Sequence, residues 1–315
     1  MPTPEGGPLL RQRERLTRRA DPFRRALLNP PRGHADLTAA MLTHAHSAGA
    51  HAGLLFLDAS GYPLMSGHGV IAAATIAVER GLLFSAEHGA VAAPLVFDTP
   101  AGSVQALARL ETHNGAVRVD TVAVTGVPAF VLAAGQPVKA RGRELRVDVA
   151  FAGAFYAVVD TEATGVPLGA AGLPELRRLG IEICQSLEAS ARPAHPVESA
   201  LGGLAGVIFT GAASDPEAHL RNVTVSAGGA VDLSPGGTGT AAVIAVLDAM
   251  GLLGDGQPFV HEGLTGAVLR GRVVRRTQVG ELPAVVTEVE GAAWITGEST
   301  FLLDDDDPFR TGVTP

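Results

Sequence analysis

The chain has 315 residues and a mass of 32.2 kDa, above the usual size of one core, so two domains or one large α/β unit is expected and a small lone module is excluded. Hydrophobic residues make up 46% and charged residues 18%, which supplies a core and excludes global disorder. With 24 Lys+Arg against 32 Asp+Glu the net charge is -8, which argues against nucleic acid as a bulk partner.

From the N-terminus, residues 1–32 alternate arginines (Arg11, Arg13, Arg15, Arg18, Arg19, Arg24, Arg25) with apolar positions. That pattern predicts the solvated face of an amphipathic helix, with Leu10, Leu16, Phe23 and Leu27 inward, in preference to a polyanion-binding arm. It lacks the apolar core of a signal peptide, and no apolar run reaches the ~18 residues of a bilayer span, so a cytoplasmic protein with no membrane partner is expected. His44, His46 and His51 lie in a stretch that reads as a loop entering a strand and lack the partner carboxylates of a metal site, so no metal is expected.

Next comes a unit that recurs. Ser66-Gly67-His68-Gly69, eleven residues, then Gly81-Leu82-Leu83 is matched 170 positions later by Gly236-Gly237-Thr238-Gly239, eleven residues, then Gly251-Leu252-Leu253. A strand and glycine turn precede each: Ala52 to Leu57 with Ser60-Gly61, and Asn222 to Ser226 with Gly228-Gly229. The helices that follow, about Gly69 to Arg80 and Gly239 to Met250, are apolar almost all round, which predicts that each is buried inside its own domain. Gly81 and Gly251 suit the residue just past a helix end.

Between the copies, Leu107 to Phe130 and Val138 to Val159 read as strands, with a linker expected near Ala133 to Arg143 where Gly, Gln and Pro cluster. Leu173 to Ala191 has helical spacing. Cys184, the single cysteine, sits there as a small core residue; it allows no intrachain disulfide or thiolate metal cage and suits a reducing compartment. Ala267 to Thr300 reads as a third β-rich region. Asp304 to Asp307 reads as a solvated turn, because four consecutive carboxylates cannot converge on one cation from a short loop.

A helix start carries unpaired backbone N–H groups and the positive end of the macrodipole, and glycines let a small anion approach them. Neither glycine loop has the Lys-Ser/Thr ending of a phosphate-binding loop or the spacing of a dinucleotide fingerprint, so a carboxylate is the better-sized anion.

Five stretches then carry a family resemblance. They are Pro31-Arg32-Gly33-His34, Met65-Ser66-Gly67-His68-Gly69, Val147 to Gly153, Arg221-Asn222-Val223, and Val231-Asp232-Leu233-Ser234-Pro235-Gly236-Gly237-Thr238-Gly239-Thr240. In order and spacing the chain, from about Phe23 to Asp307, resembles the proline racemase family, which includes hydroxyproline 2-epimerases and trans-3-hydroxy-L-proline dehydratases. The resemblance implies a diaminopimelate-epimerase-like α/β (α+β) fold of two similar domains, residues 1–133 plus about 290–315 and residues 134–289. Each would be a curled sheet around a central helix, with the active site in the cleft between them. It implies a small amino or imino acid as partner, no cofactor, and is compatible with a homodimer. The amides at Gly67, His68, Gly237, Thr238 and Gly239 would bind the substrate carboxylate, and Asp232 would lie near the ring nitrogen.

Racemases of this family use two cysteines, one thiolate removing the α-proton and one thiol returning another. Both positions are changed here, to Ser66 and Gly236. A serine hydroxyl ionises far less readily than a thiol, and glycine supplies no group, so two-base racemisation is not expected. A trans-3-hydroxyproline has its hydroxyl on the same ring face as the α-hydrogen, so a lyase reaction asks for chemistry on one side only. Three readings follow: dehydration of trans-3-hydroxy-L-proline at Ser66, racemisation or 4-hydroxyproline epimerisation, and a pyrrolidine-carboxylate binder without catalysis. Further departures leave the substrate open: an N-terminal Asp-x-His-Thr-x-Gly-Glu-Pro strand of the family has no counterpart, a pocket phenylalanine is Ser226, and an arginine is Leu233.

Overall fold

The computed structural model describes residues 6–83, 92–113 and 115–313. The chain divides into two units, Met1–Val122 with Ala292–Pro315, and Ala123–Gly291.

The first unit opens with α1 (Leu9–Arg19) and α2 (Asp21–Leu28). The helical pattern breaks at Ala20 because Pro22 has no N–H to continue the ladder and its ring would meet the Arg18 carbonyl. Arg11, Arg15, Arg18 and Arg19 face solvent, while Leu9, Leu16, Ala20 and Leu28 pack on Leu55 and Leu57. Strands β1 (Thr38–Thr43), β2 (Ala52–Asp58), β3 (Ala92–Thr99), β4 (Gly102–His113) and β5 (Ala116–Thr125) neighbour one another in that order, and α3 (Gly67–Glu79) leaves the loop after β2. Only β2 and β3 of the described pairs in this unit run parallel. Ala52 to Leu57 are all buried: alternate residues face α3 on one side and the α1–α2 pair on the other. Two of the motif residues act here as tethers. Arg32 binds Asp307 Oδ2 at 2.7 Å and donates to the Phe309 carbonyl, and a Cβ on Gly33 would sit 2.5 Å from the Leu28 backbone.

The second unit contains β6 (Phe130–Ala140), β7 (Arg143–Phe151), β8 (Phe155–Asp160), α4 (Thr161–Thr164), α5 (Leu173–Ala191), β9 (Leu204–Gly211), β10 (Leu220–Ser226), β11 (Val231–Asp232), α6 (Gly237–Ala249), β12 (Phe259–Gly263), β13 (Val268–Val279) and β14 (Leu282–Gly291). Its sheet runs β14-β13-β12-β10-β9-β8-β7-β6, with β11 paired to β10. A bridge just before β6, Ala129 to Val285 with N···O of 2.7 and 2.8 Å, joins the sheet's two ends. The sheet therefore curls around α6, whose first ten residues, Gly237 to Val246, are all buried. Each fully buried Val or Ile there contributes ~1.5–3 kcal/mol, which makes α6 the axis of the core. Helix α5 covers the other face: a Cβ on Gly180 would come within 2.9 Å of Val225.

Both central helices have thirteen residues and end alike. Gly81 (φ +61°) and Gly251 (φ +71°) adopt the left-handed conformation, and Leu82 N–H bonds to Ala77 O as Leu252 N–H bonds to Leu247 O. The copies differ in how completely they are enclosed, since Ile76 on α3 is 42% exposed. The expected linker at Ala133 to Arg143 is instead the β6–β7 hairpin. Arg141 and Gly142, both at positive φ, make its two-residue turn, and Gly135 sits in a register shift of β6, so the glycines serve a turn and a bulge. The final β-rich stretch ends at Gly291; residues 292–300 form no strand, and Trp294 is 76% exposed.

A Cβ placed on Gly251 would meet nothing within 4 Å, so replacing this residue isolates backbone strain. Gly251→Ala is expected to lower unfolding free energy by ~1 kcal/mol, and Gly251→Asn by less, in denaturant titration.

Candidate functional site

At the start of α3, Ser66 is the N-cap, with extended backbone (φ -147°, ψ 105°), and its Oγ accepts from Gly69 N–H at 3.2 Å. Space at Gly69 is tight: a Cβ there would meet Ser66 Oγ at 3.0 Å and the Phe56 ring at 3.1 Å. Gly67 is buried, Ser66 and His68 are half-buried, and His68 Nε2 lies 3.4 Å from Thr38 Oγ1. Ser66 thus sits in the positive field of the helix start with one lone pair already held by an N–H, an arrangement that favours negative charge on its oxygen.

At the start of α6 the equivalent position is built differently. Gly236 has φ +69° and ψ 121°, a conformation that L-residues rarely adopt, and no side chain caps the helix. The loop is held by Asp232, whose Oδ1 accepts from Ser234 N–H at 2.9 Å and Ser234 Oγ at 2.7 Å; Ser234 Oγ in turn accepts from Gly236 N–H at 3.2 Å. A Cβ at position 236 would lie 3.3 Å from Asp232 Oδ2. Gly237, Thr238 and Gly239 follow, all buried. The structure therefore gathers Ser66, Gly67 and His68 at one helix start, and Asp232, Gly236, Gly237, Thr238 and Gly239 at the other.

Beneath the α6 start lies a polar group to which the motifs assigned no role, although Asn222 and Thr240 belong to them. Asn222, fully buried, donates from Nδ2 to the Pro235 carbonyl at 3.0 Å. Thr240 Oγ1 and His261 Nδ1, both fully buried, are 3.0 Å apart. Asn222 Oδ1, Thr224 Oγ1 and His261 Nε2 are buried and find no hydrogen-bond partner among the described residues. Burial pushes the His261 imidazole down to about 3, so it is neutral. The signal in the sequence was slight: Asn222 and Thr224 alternate with Val223 and Val225 in β10, and Thr240 and His261 lie in other elements.

The remaining candidates stand apart from chemistry. His51 Nδ1 accepts from Val96 N–H, and His46 N–H donates to Asp98; among the described residues no group of three His, Cys, Asp or Glu side chains could hold a metal. Cys184 is 2% exposed, and burial, with Glu188 nearby, pushes its thiol up to about 12, which makes it inert. No described helix is long and apolar enough to cross a membrane.

The family model described as proline racemase matches residues 1–314. The chain belongs to the proline racemase family. A trans-3-hydroxy-L-proline dehydratase of Bacillus cereus is 38% identical over 313 residues, covering 98% of this chain and 92% of its own. A proline racemase of Acetoanaerobium sticklandii is 34% identical over 316 residues, covering 100% and 92%. The crystal structure of a hydroxyproline epimerase from Agrobacterium vitis with bound trans-4-hydroxy-L-proline matches at a TM-score of 0.90 and 27% identity, covering 100% of this chain and 89% of that one. The fold is thus the diaminopimelate-epimerase-like one of the proline racemase family, while similarity of this order is shared by members named for different reactions.

His261 gives the second unit an acid limit. Its proton affinity falls from 6.5 to about 3 on folding, so below pH 6.5 the unfolded chain binds the extra proton and stability declines until about pH 3. Unfolding midpoints measured across that range are expected to fall less steeply for His261→Leu than for the wild type; parallel curves would contradict the assignment.

Proposed function

We propose that this proline racemase family member binds a pyrrolidine-2-carboxylate through the amides of its two matched helix starts, Gly67 and His68 in one and Gly237, Thr238 and Gly239 in the other, with Asp232 serving the ring nitrogen. The chemistry this supports best is one-sided dehydration of trans-3-hydroxy-L-proline at Ser66. The single observation that carries it is the inequality of the two starts. Ser66 presents a hydroxyl with an N–H bond to its oxygen, and Gly236 presents only backbone.

Because the C3 hydroxyl and the α-hydrogen share a ring face, one hydroxyl can serve both. Ser66 Oγ accepts the α-proton on its remaining lone pair and passes its own proton to the leaving C3 oxygen. The C2–H electron pair forms the C2–C3 double bond as the C3–O bond breaks, water departs, and the enamine tautomerises to Δ1-pyrroline-2-carboxylate. No ionised serine has to accumulate. Returning a proton to the opposite face, as racemisation requires, would need an acid where Gly236 stands. A cysteine there would be strained by φ +69° and crowded by Asp232. The glycine also favours a second reading, a binder of pyrrolidine carboxylates without turnover.

Purified protein with trans-3-hydroxy-L-proline is expected to yield Δ1-pyrroline-2-carboxylate. Ser66→Ala is expected to lower the rate at least ~100-fold, the usual scale for losing a general acid–base group, while calorimetric affinity for the substrate changes little. Binding without product at high enzyme concentration supports the second reading. Solvent deuterium appearing at the α-carbon of recovered L-proline or 4-hydroxyproline would establish the racemase or epimerase reaction instead. No binding of any pyrrolidine acid contradicts every version.

A further inference from the structure

The duplication supplies an internal control. Ala52 and Leu54 of β2 precede α3 by the same number of residues as Asn222 and Thr224 of β10 precede α6. Within the helices, Val70 of α3 corresponds likewise to Thr240 of α6. Strand register gives the fourth pair: Ala52 faces Phe97 where Asn222 faces Gly263, so Leu95 holds the place of His261. In the first unit these places hold Ala52, Leu54, Val70 and Leu95, all buried and apolar. The second unit fills the same layer with Asn222, Thr224, Thr240 and His261.

The fold therefore accepts an apolar layer at this depth, and polarity in the second copy has another cause. Buried polar atoms without partners are unfavourable by ~1–3 kcal/mol each, and three of them lie here. Asn222, Thr224 and His261 lie on the face of the sheet covered by α6, and Thr240 meets His261 from the helix. Residues 222 and 224 alternate with Val223 and Val225, which turn to α5; Leu220, on the α6 face, is the register partner of His261; and a Cβ on Gly239 would lie 3.7 Å from Thr224 Oγ1. One contact reaches the site: Asn222 Nδ2 holds the carbonyl of Pro235, which belongs to the peptide whose N–H is that of Gly236.

We propose that Asn222, backed by Thr224, Thr240 and His261, is a positioning residue that fixes the Pro235–Gly236 peptide and so the direction in which the first amides of α6 point. In the first unit the Ser66 side chain caps the helix start; at Gly236 no side chain can, and the bracket from beneath takes over that task. Its consequence for ligand affinity rests on the function proposed above, whereas its effect on the loop does not.

Three variants test it: Asn222→Ala, Asn222→Asp, which keeps the shape and removes the N–H donor, and Asn222→Ala/Thr240→Val/His261→Leu, which installs the first unit's residues at three of the four places. At least one is expected to fold with a midpoint within ~5 °C of wild type, since replacing buried polar atoms by apolar ones is close to neutral. In the folded variants, amide hydrogen exchange over Gly236 to Thr240 is expected to quicken at least tenfold with the rest of α6 unchanged. The dissociation constants for L-proline, trans-3-hydroxy-L-proline and trans-4-hydroxy-L-proline are expected to rise at least tenfold. Unchanged exchange in a folded variant overturns the proposal, as does failure of all three to fold, which would make the layer purely architectural. Faster exchange with unchanged affinity overturns its role in binding. If the wild type binds none of the three ligands, the proposed function fails and exchange alone decides the bracket.

Discussion

A helix whose flanks are buried still has a first turn of N–H groups with no acceptor of its own, and that constraint organises both halves of this chain. Apolar side chains on all sides place α6 at the axis of its sheet, and a similar composition sets α3 against β1, β4 and Phe56 of β2. Water cannot reach around such a helix freely, so the amides at its start must be answered by a side chain, a loop or a ligand. The glycines at positions 67, 69, 237 and 239 keep side chains away from those amides, and the left-handed Gly81 and Gly251 finish the opposite ends.

The two copies answer the constraint differently, and the functional reading grows from that difference. Ser66 spends its oxygen on Gly69 N–H and keeps a hydroxyl that can relay a proton. Position 236 has a backbone that only glycine adopts readily, steadied by Asp232 and Ser234 from the loop and by Asn222 from below. An enzyme that works from one side of its substrate can accept this asymmetry; an enzyme that must exchange protons across both faces cannot. On the proposed function, Ser66 and Gly236 would favour one-sided chemistry, and the amides at both helix starts would still be available to a carboxylate.

Much of this was legible in the sequence because it depends on local rules. Glycine spacing marked both helix starts and both C-terminal turns, and the unbroken apolar runs marked the central helices. Three features were not legible. Gly135 and Gly142 look like linker glycines until strand pairing shows one in a register shift and the other in a hairpin turn. Trp294 and Ile295 continue the apolar composition of β14 although no strand continues there. The layer of Asn222, Thr224, Thr240 and His261 is scattered over three elements and becomes a unit only through the register of β10 with β12 and the crossing of α6. Local patterning reports what a residue prefers; it does not report which distant residue shares its face.

The proposed carboxylate binding by the helix-start amides is tested most directly by titrating 15N-labelled protein with trans-3-hydroxy-L-proline and following the backbone amide resonances. Shifts are expected at Gly67, His68, Gly237 and Thr238, saturating at one common ligand concentration. Shifts confined to one helix start, or none at either, would contradict it.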